Sequence, residues 1–474
     1  MSTDTKAALP LRFAVVGAGI AGLAVAYRLR KSGYKVCVLE KREGPAGGEN
    51  CVCSPPNMTR ILYRWGLRPQ LEEVALKRNG ITFRQRDTGQ PFADFVYYDW
   101  IVKDLGADFL FMRHGDLYRI LYALAVEAGV EIRFGAEVVE VDPWAPAVTT
   151  STGEVLQADV VLGADGLGSV VRKCVAKGQT CSEQEEEIGP VAIGAYTMSE
   201  DDELRDLLTT PVANLWMGKT YALWGCPLPG YGGYSLKIAT PPDGHNISEE
   251  YDQPRSSEEF RLDLSLFEPR LQKLLRRTQT WYPSMWKIRQ PLISLVHESK
   301  KVALLGEAAH TIPPNMTQNT ALAIEDAAAL SSLFSRIREH NEIGRFVSAY
   351  HEVRYRPAYD VVHSEVGNMG LISGMEHPYG EQPAQTDAAL RSPTVVGIKD
   401  VIPSAEFAYG WDGMIKLFNH DAEDDAEEWW HTWGSLMNMH AEDSAGKVRD
   451  AGTADSDDKA GGRAGSDSQL SLTI

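Results

Sequence analysis

An α/β fold is predicted for this chain: a layer of parallel strands flanked by helices, a β-rich domain inserted into it, and a helical C-terminal part. Three observations carry the prediction. A strand, glycine turn, helix and strand follow one another over residues 11–41. Aromatic, strand-like runs replace helical periodicity over residues 174–293. A buried strand and long periodic helices return from residue 301.

The opening unit decides the class. Residues 11–16 are a short apolar run of strand-formers, and Gly17, Gly19 and Gly22 then spell G-x-G-x-x-G. A helical run to Lys31 ends at Ser32-Gly33, and a second strand over 34–39 is closed by Glu40. This is the dinucleotide-binding β-α-β unit of a Rossmann-like fold. Gly17 permits the tight turn, Gly19 lets the backbone approach a pyrophosphate, and Gly22 lets helix and strands pack closely. The helix N-terminus offers free N–H groups to phosphate oxygens. Glu40 would accept hydrogen bonds from an adenosine ribose, with Ala18 and Lys41 beside the same ligand.

The 474 residues suffice for two or three domains and a large core, and 43% hydrophobic with 24% charged residues is ordinary globular composition. A net charge of −18 argues against nucleic acid as a partner. The charge is uneven: from Asp421 onward there are 13 acidic and 4 basic residues. The six cysteines form no disulfide framework, and Cys51-x-Cys53 lacks the further ligands of a zinc set, so no metal site is expected. The N-terminus carries no signal core and no run is long enough to span a membrane, which points to a cytoplasmic protein.

In order along the chain, 8–173 is expected to be the first part of the nucleotide-binding domain, and 174–293 the β-rich substrate domain. Residues 294–370 complete the first domain, 371–440 form a C-terminal extension, and 441–474 a disordered tail. Within these, 58–67 reads as helix and 80–110 as strands. A helix is expected over 113–127, two short strands over 130–142, and a hairpin over 147–155. Residues 256–277 read as a helix over the β-rich sheet, followed by helices over 319–340 and 343–367.

Three separated stretches are informative together. They are the opening fingerprint; GADGLGSVVR, containing Asp165; and GEAAH, containing Gly306, Glu307 and His310, followed by Pro313-Pro314 and AIEDA. As a set, in this order and spacing over roughly residues 13–330, they resemble the signature of the group A FAD-dependent aromatic monooxygenases. These are the salicylate-hydroxylase-like and para-hydroxybenzoate-hydroxylase-like enzymes. SPPNMTRIL and FAYGWDGM resemble segments of the fungal members. The resemblance implies FAD held by Gly17, Ala18, Gly19, Gly22, Glu40, Lys41, Arg113, Asp165, Gly306, Glu307 and Thr320. It makes NAD(P)H the co-substrate. Its implied activity is hydroxylation of a phenolic or aromatic carboxylic substrate with O₂ through a flavin C4a-hydroperoxide, with or without decarboxylation. His310 is then a structural residue of its turn.

The chain departs from that pattern at two places. Glu307 stands where the family has Asp, and Gln318-Asn319-Thr320-Ala321 stands where it has a glycine-containing run. The pyrophosphate cation falls on Arg113 or, by a one-residue shift, on His114, and Arg113 suits the role because its charge is permanent. Tyr196, Trp216, Tyr221, Trp224 and Pro314 are candidate substrate-pocket residues; no catalytic base is identified. Two other readings stand beside this one: a related flavin monooxygenase oxidising a non-phenolic natural product, and a non-catalytic FAD-binding partner protein. The expected partners are a small aromatic substrate and O₂, in a monomer or homodimer.

Overall fold

Short apolar runs far apart in the sequence become neighbours in one sheet. The computed structural model describes residues 9–45, 47–48, 50–177, 179, 185–197, 204–217, 222–228, 233–240, 254–256, 262–312, 317–373, 394–396 and 415–434. Five strands line up in the order Val302–Leu304, Val160–Gly163, Arg12–Val16, Lys35–Leu39 and Glu131–Arg133. Every neighbouring pair is parallel. Helices cover the sheet, which is why its strands read as continuous Val/Leu/Ala runs. The register pairs Val16 with both Gly163 and Leu39, and Gly163 with Leu304. These four strands therefore end level. The residues that follow them, Gly17, Glu40, Asp165 and Gly306, share the carboxyl edge of the sheet, the edge at which open α/β sheets bind ligands.

A mixed sheet of nine strands forms the second layer: Arg255–Ser256, Thr280–Arg289, Glu185–Thr197, Gly233–Ala239, Ala222–Leu228, Val212–Met217, Gly80–Gln85, Pro91–Val96 and Thr394–Val396. It draws strands from before residue 174 as well as after it, because Val212–Met217 pairs in parallel with Gly80–Gln85. Period-two alternation splits its side chains between two environments. Tyr234, Leu236 and Ile238 pack with Trp216, Leu223 and Trp281 beneath the helix Pro269–Arg277. On the opposite face, Leu215, Trp224 and Cys226 meet Cys51, Cys53 and Phe111, while Val191, Ala239 and Trp286 meet Ile312 and Leu322.

Several element boundaries differ from expectation for local reasons. Among the described residues of the helix expected over 256–277, α-helix runs from Pro269 to Arg277, where Pro269 sits in the first turn and the Glu268 side chain accepts from the Arg270 N–H at 3.0 Å. Within 80–110, a helix Asp99–Asp104 interrupts the strands. The helix that begins at Asn319 stops at Phe334, and a reciprocal cap between Glu339 and Glu342 leads into Ile343–Ser373. The tail 441–474 and most of 371–414 lie outside the described residues. Described residues up to Glu427 pack as one unit, and those from Glu428 as another.

Candidate functional site

Gly17 has φ +99°, and a Cβ there would press into the Ala164 carbonyl; one on Gly22 would press into that of Gly17. Gly19 is different: a Cβ there would meet nothing within 4 Å. Two of the three glycines thus serve close packing, and the third keeps an open approach to the backbone. The helix Ile20–Lys31 starts without a side-chain cap and without an acid in its first turn. Its leading N–H groups are available to an anion. Glu40 is buried; its carboxylate accepts from the Ala18 N–H at 2.8 Å and from the Arg42 N–H at 3.0 Å. Lys41 is exposed next to it.

Arg113 ends the strand Leu110–Arg113 and occupies the N-cap position of the helix His114–Glu127. The loop before Cys51 is pinned across this junction: the His114 N–H donates to the Asn50 carbonyl at 2.7 Å, and Gly115 to Gly48 at 2.9 Å. The Nδ1 of His114 is buried without a hydrogen-bond partner. Burial, with help from Lys237 and Arg42, pushes its pKa down to about 4, so the ring is neutral at pH 7. A permanent cation at this junction is therefore Arg113 and not His114.

Asp165 does what a strand-end carboxylate does locally. It accepts from the Ser169 hydroxyl and from the Val170 and Val171 N–H groups, at 2.8 and 3.3 Å for the latter two, and so caps the helix Val170–Ala176. Arg172 on that helix donates to the carbonyls of Ala308 and Ala309 at 2.9 and 3.0 Å. The second and third sequence stretches are thereby joined. Gly306, at φ +60°, donates its N–H to Asp326 at 2.9 Å. Glu307 is half-buried, and its carboxylate accepts no hydrogen bond from the described residues. Burial pushes its pKa up, and Lys237 opposes the shift. Thr320 lies in the first turn of Asn319–Phe334, a second helix without a side-chain cap or an early acid.

Of the pocket candidates, Trp224 lies on the sheet face toward Cys51, 5.5 Å beneath the Arg78 guanidinium. Trp216 lies on the other face, in the core under Pro269–Arg277, so it does not line this region. The side chain of Tyr196, and all of Tyr221 and Pro314, fall outside the described residues.

Behind the site runs a buried charge network that the sequence reading missed. Arg354 donates to Glu325 and Asp326, both at 2.8 Å. Asp326 also meets the His310 ring nitrogen at 3.1 Å. Glu325 also accepts from Asn57 at 2.8 Å and meets His420 at 3.0 Å. The available signal was an Arg and two adjacent acids on otherwise apolar helical faces.

Burial pulls the His420 ring down, but Glu325 and Asp425 outweigh it and push its pKa from the ordinary 6.5 up to about 9. A raised folded-state value stabilises fully below 6.5 and is lost as pH climbs through about 9. Wild-type melting temperature should therefore fall between pH 7 and 10 more steeply than that of His420→Gln, the difference being on the order of 3 kcal/mol at most. Parallel melting curves across that range would remove His420 from the account.

A cavity of about 370 Å³ lined by Lys177, Gln179, His297, Lys300, His351 and Glu352 lies near the amino end of the strand Val302–Leu304, at the opposite edge from Gly306. Among the described residues, no group of three or more His, Cys, Asp or Glu is arranged to hold a metal, and no helix is long and apolar enough to cross a membrane.

Residues 11–364 match the family described as FAD binding domain. The FAD-dependent monooxygenase OpS4 of Beauveria bassiana is 29% identical over 361 residues, covering 73% of this chain and 81% of that protein. The 3-amino-4-hydroxybenzoate 2-monooxygenase of Streptomyces cremeus is 28% identical, with 68% and 77% covered. A salicylate hydroxylase solved as a substrate complex matches the fold with a TM-score of 0.67 at 19% identity, over 88% of this chain and 97% of that one. With its glycine fingerprint and level strand ends, the chain belongs to the FAD binding domain family and is an FAD-dependent monooxygenase.

Proposed function

We propose that this monooxygenase hydroxylates a small phenolic or aromatic carboxylic substrate, taking its electrons from NAD(P)H. The observation that carries the reading is the shared carboxyl edge, with the ribose-type acceptor Glu40 after one strand and, after another, the carboxylate of Glu307, which accepts no hydrogen bond from the described residues. The residues suit FAD: an open backbone approach at Gly19, two uncapped helix starts, and a half-buried carboxylate in want of a hydroxyl donor. In this reading Gly17, Ala18, Gly19 and Gly22 lie along the pyrophosphate, with Arg113 as its cation. Glu40 and Lys41 take the adenosine end. Asp165, Gly306, Glu307 and Thr320 take the ribityl and ring end.

Bound FAD supplies the electron transfer and oxygen activation that amino-acid side chains lack. The chain's own residues orient the cofactor and the ring and keep water out. Glu307, one methylene longer than aspartate, accepts from cofactor hydroxyls. The first helix dipole favours the phosphates and the second favours negative charge at the flavin edge. The nine-stranded sheet supplies the substrate-facing layer, with Trp224 on the facing side. A ring carbon bearing a carboxylate would lose CO₂ when oxygen is inserted there.

The test is a screen of the FAD-loaded protein for NADH and NADPH oxidation against hydroxybenzoates and other phenols, with product analysis under labelled O₂. The expected result is oxidation accelerated by a phenolic acid, with one labelled oxygen atom in the product. Oxidation that no phenol accelerates, with hydrogen peroxide as the sole oxygen product, would overturn the reading.

A further inference from the structure

We propose that Asn57 is a positioning residue for the cofactor: anchored on Glu325, it turns the side-chain amide of Gln318 so that the Gln318 NH₂ donates to the pyrimidine edge of the bound flavin and favours its reduced form. The proposal rests on the placement of the flavin ring end beside Gly306, Glu307 and Thr320 given above, and it does not depend on the substrate.

Three side-chain contacts pin the turn that enters the helix Asn319–Phe334. The Thr317 hydroxyl donates to Glu365 at 2.8 Å, and the Asn319 side-chain amide donates to the Ile312 carbonyl at 3.1 Å. Between them, the Oε1 of Gln318 accepts from the Nδ2 of Asn57 at 3.0 Å. Asn57 lies in the first turn of the helix Pro56–Arg64, which packs on Asn319–Phe334. The same Nδ2 donates to Glu325 at 2.8 Å. These two bonds decide which way both amides face. Burial pushes the Glu325 pKa up, but His420 and Arg354 outweigh it and hold it at about 2, so the carboxylate is ionised and can only accept. Asn57 must therefore turn its NH₂ toward Glu325. Gln318, meeting the same NH₂, must present its carbonyl oxygen. The NH₂ of Gln318 is left facing away from Asn57.

Gln318 is 1% exposed, and its Nε2 is buried without a hydrogen-bond partner. It occupies the N-cap position of Asn319–Phe334 without capping it. An amide donor buried without an acceptor is unfavourable, so an acceptor brought by a ligand is the expected partner. The leading N–H groups of the same helix are donors at the same turn, and no acid lies in its first turn. The acceptor that suits this set gains negative charge, as the pyrimidine edge of a flavin does on reduction. Donors already held in place favour that charge without having to reorganise. The holding group is the buried network itself. Asp326, beside Glu325 on the same Arg354, fixes the Gly306 N–H, so one cation sets both the turn ahead of Glu307 and the amide of Gln318.

The experiment measures the reduction potential of bound FAD by equilibration with a reference dye, in the absence of substrate and NAD(P)H. Gln318→Met should lower the potential by about 30 mV, a roughly tenfold loss of preference for reduced over oxidised FAD in a two-electron couple. Its apoprotein should melt close to wild type. Asn57→Leu should lower the potential in the same direction, with Asn57→Ser in its place if the leucine variant does not fold. The double variant should fall no further than Gln318→Met alone, because Asn57 acts through Gln318. An unmoved potential in Gln318→Met overturns the proposal, as do Asn57 and Gln318 effects that add. Failure of the ring-end placement looks different. Glu307→Gln would then leave FAD affinity and potential unmoved as well, whereas with the placement right and the proposal wrong, Glu307→Gln alone moves them.

Discussion

Arg354→Met is expected to cost about 3–5 kcal/mol of stability, because it leaves two buried carboxylates without their shared cation. Arg354 is 0% exposed, as is Asp326, and Glu325 is 1% exposed. The variant cannot relax by hydrating either acid. The melting shift will look modest: at about 2 cal/mol/K of unfolding entropy per residue, that cost is roughly 3–6 °C in a unit of this size. The larger effect should fall on the cofactor. Asp326 holds the Gly306 N–H, and Glu307 follows directly, so a displaced Asp326 carries the turn with it. FAD affinity is expected to fall by about tenfold or more, the equivalent of one lost hydrogen bond to a charged group. Arg354→Lys should lie between, since a single ammonium cannot reproduce the two directed N–H bonds at 2.8 Å. The check is a denaturant titration with a fluorescence measurement of FAD binding on each variant. An Arg354→Met protein matching wild type in both would show that the network neither supports the fold nor sets the turn.

This network shows where sequence reading stops. Gly17, Gly19, Gly22 and Glu40 were legible because their jobs are local: a positive φ, a close contact and a strand-end acceptor within 30 residues. Asp165 was legible both as a strand-end acid and as a helix cap, and its cap can be counted in bonds. Glu325 and Asp326 were not legible as a buried pair. Their cation comes 28 and 29 positions later, and the other partners of Glu325, Asn57 and His420, come from opposite ends of the chain. Trp216 and Trp224 look alike in sequence, yet Trp216 pairs with Leu223 and Trp224 with Leu215, so they face opposite sides of one sheet. Lys237 was hidden by the same alternation: a Ser-Leu-Lys-Ile run reads as a half-solvated strand until a second layer is known to cover its polar face.

Gly19→Val should separate fold from function more cleanly than any other substitution at the fingerprint. Nothing lies within 4 Å of a Cβ at Gly19, and its backbone, φ −77° and ψ −174°, suits any residue. The apoprotein should lose no more than about 1 kcal/mol, the difference between a favourable and a poor N-cap residue. The branched side chain would, however, occupy the approach in front of the helix Ile20–Lys31, where a pyrophosphate must reach the backbone N–H groups. Loss of those charge-assisted bonds, each worth about 1.5–3 kcal/mol, predicts FAD affinity lower by at least about a hundredfold. The protein should purify colourless, with circular dichroism and apoprotein melting close to wild type. Gly17→Val should behave in the opposite order. Its positive φ and its contact with the Ala164 carbonyl make it fail first as a fold, and any loss of FAD would follow from that. If Gly19→Val retains bound FAD through gel filtration, the pyrophosphate does not lie along this helix, and the residue assignments at this end of the cofactor must be redrawn.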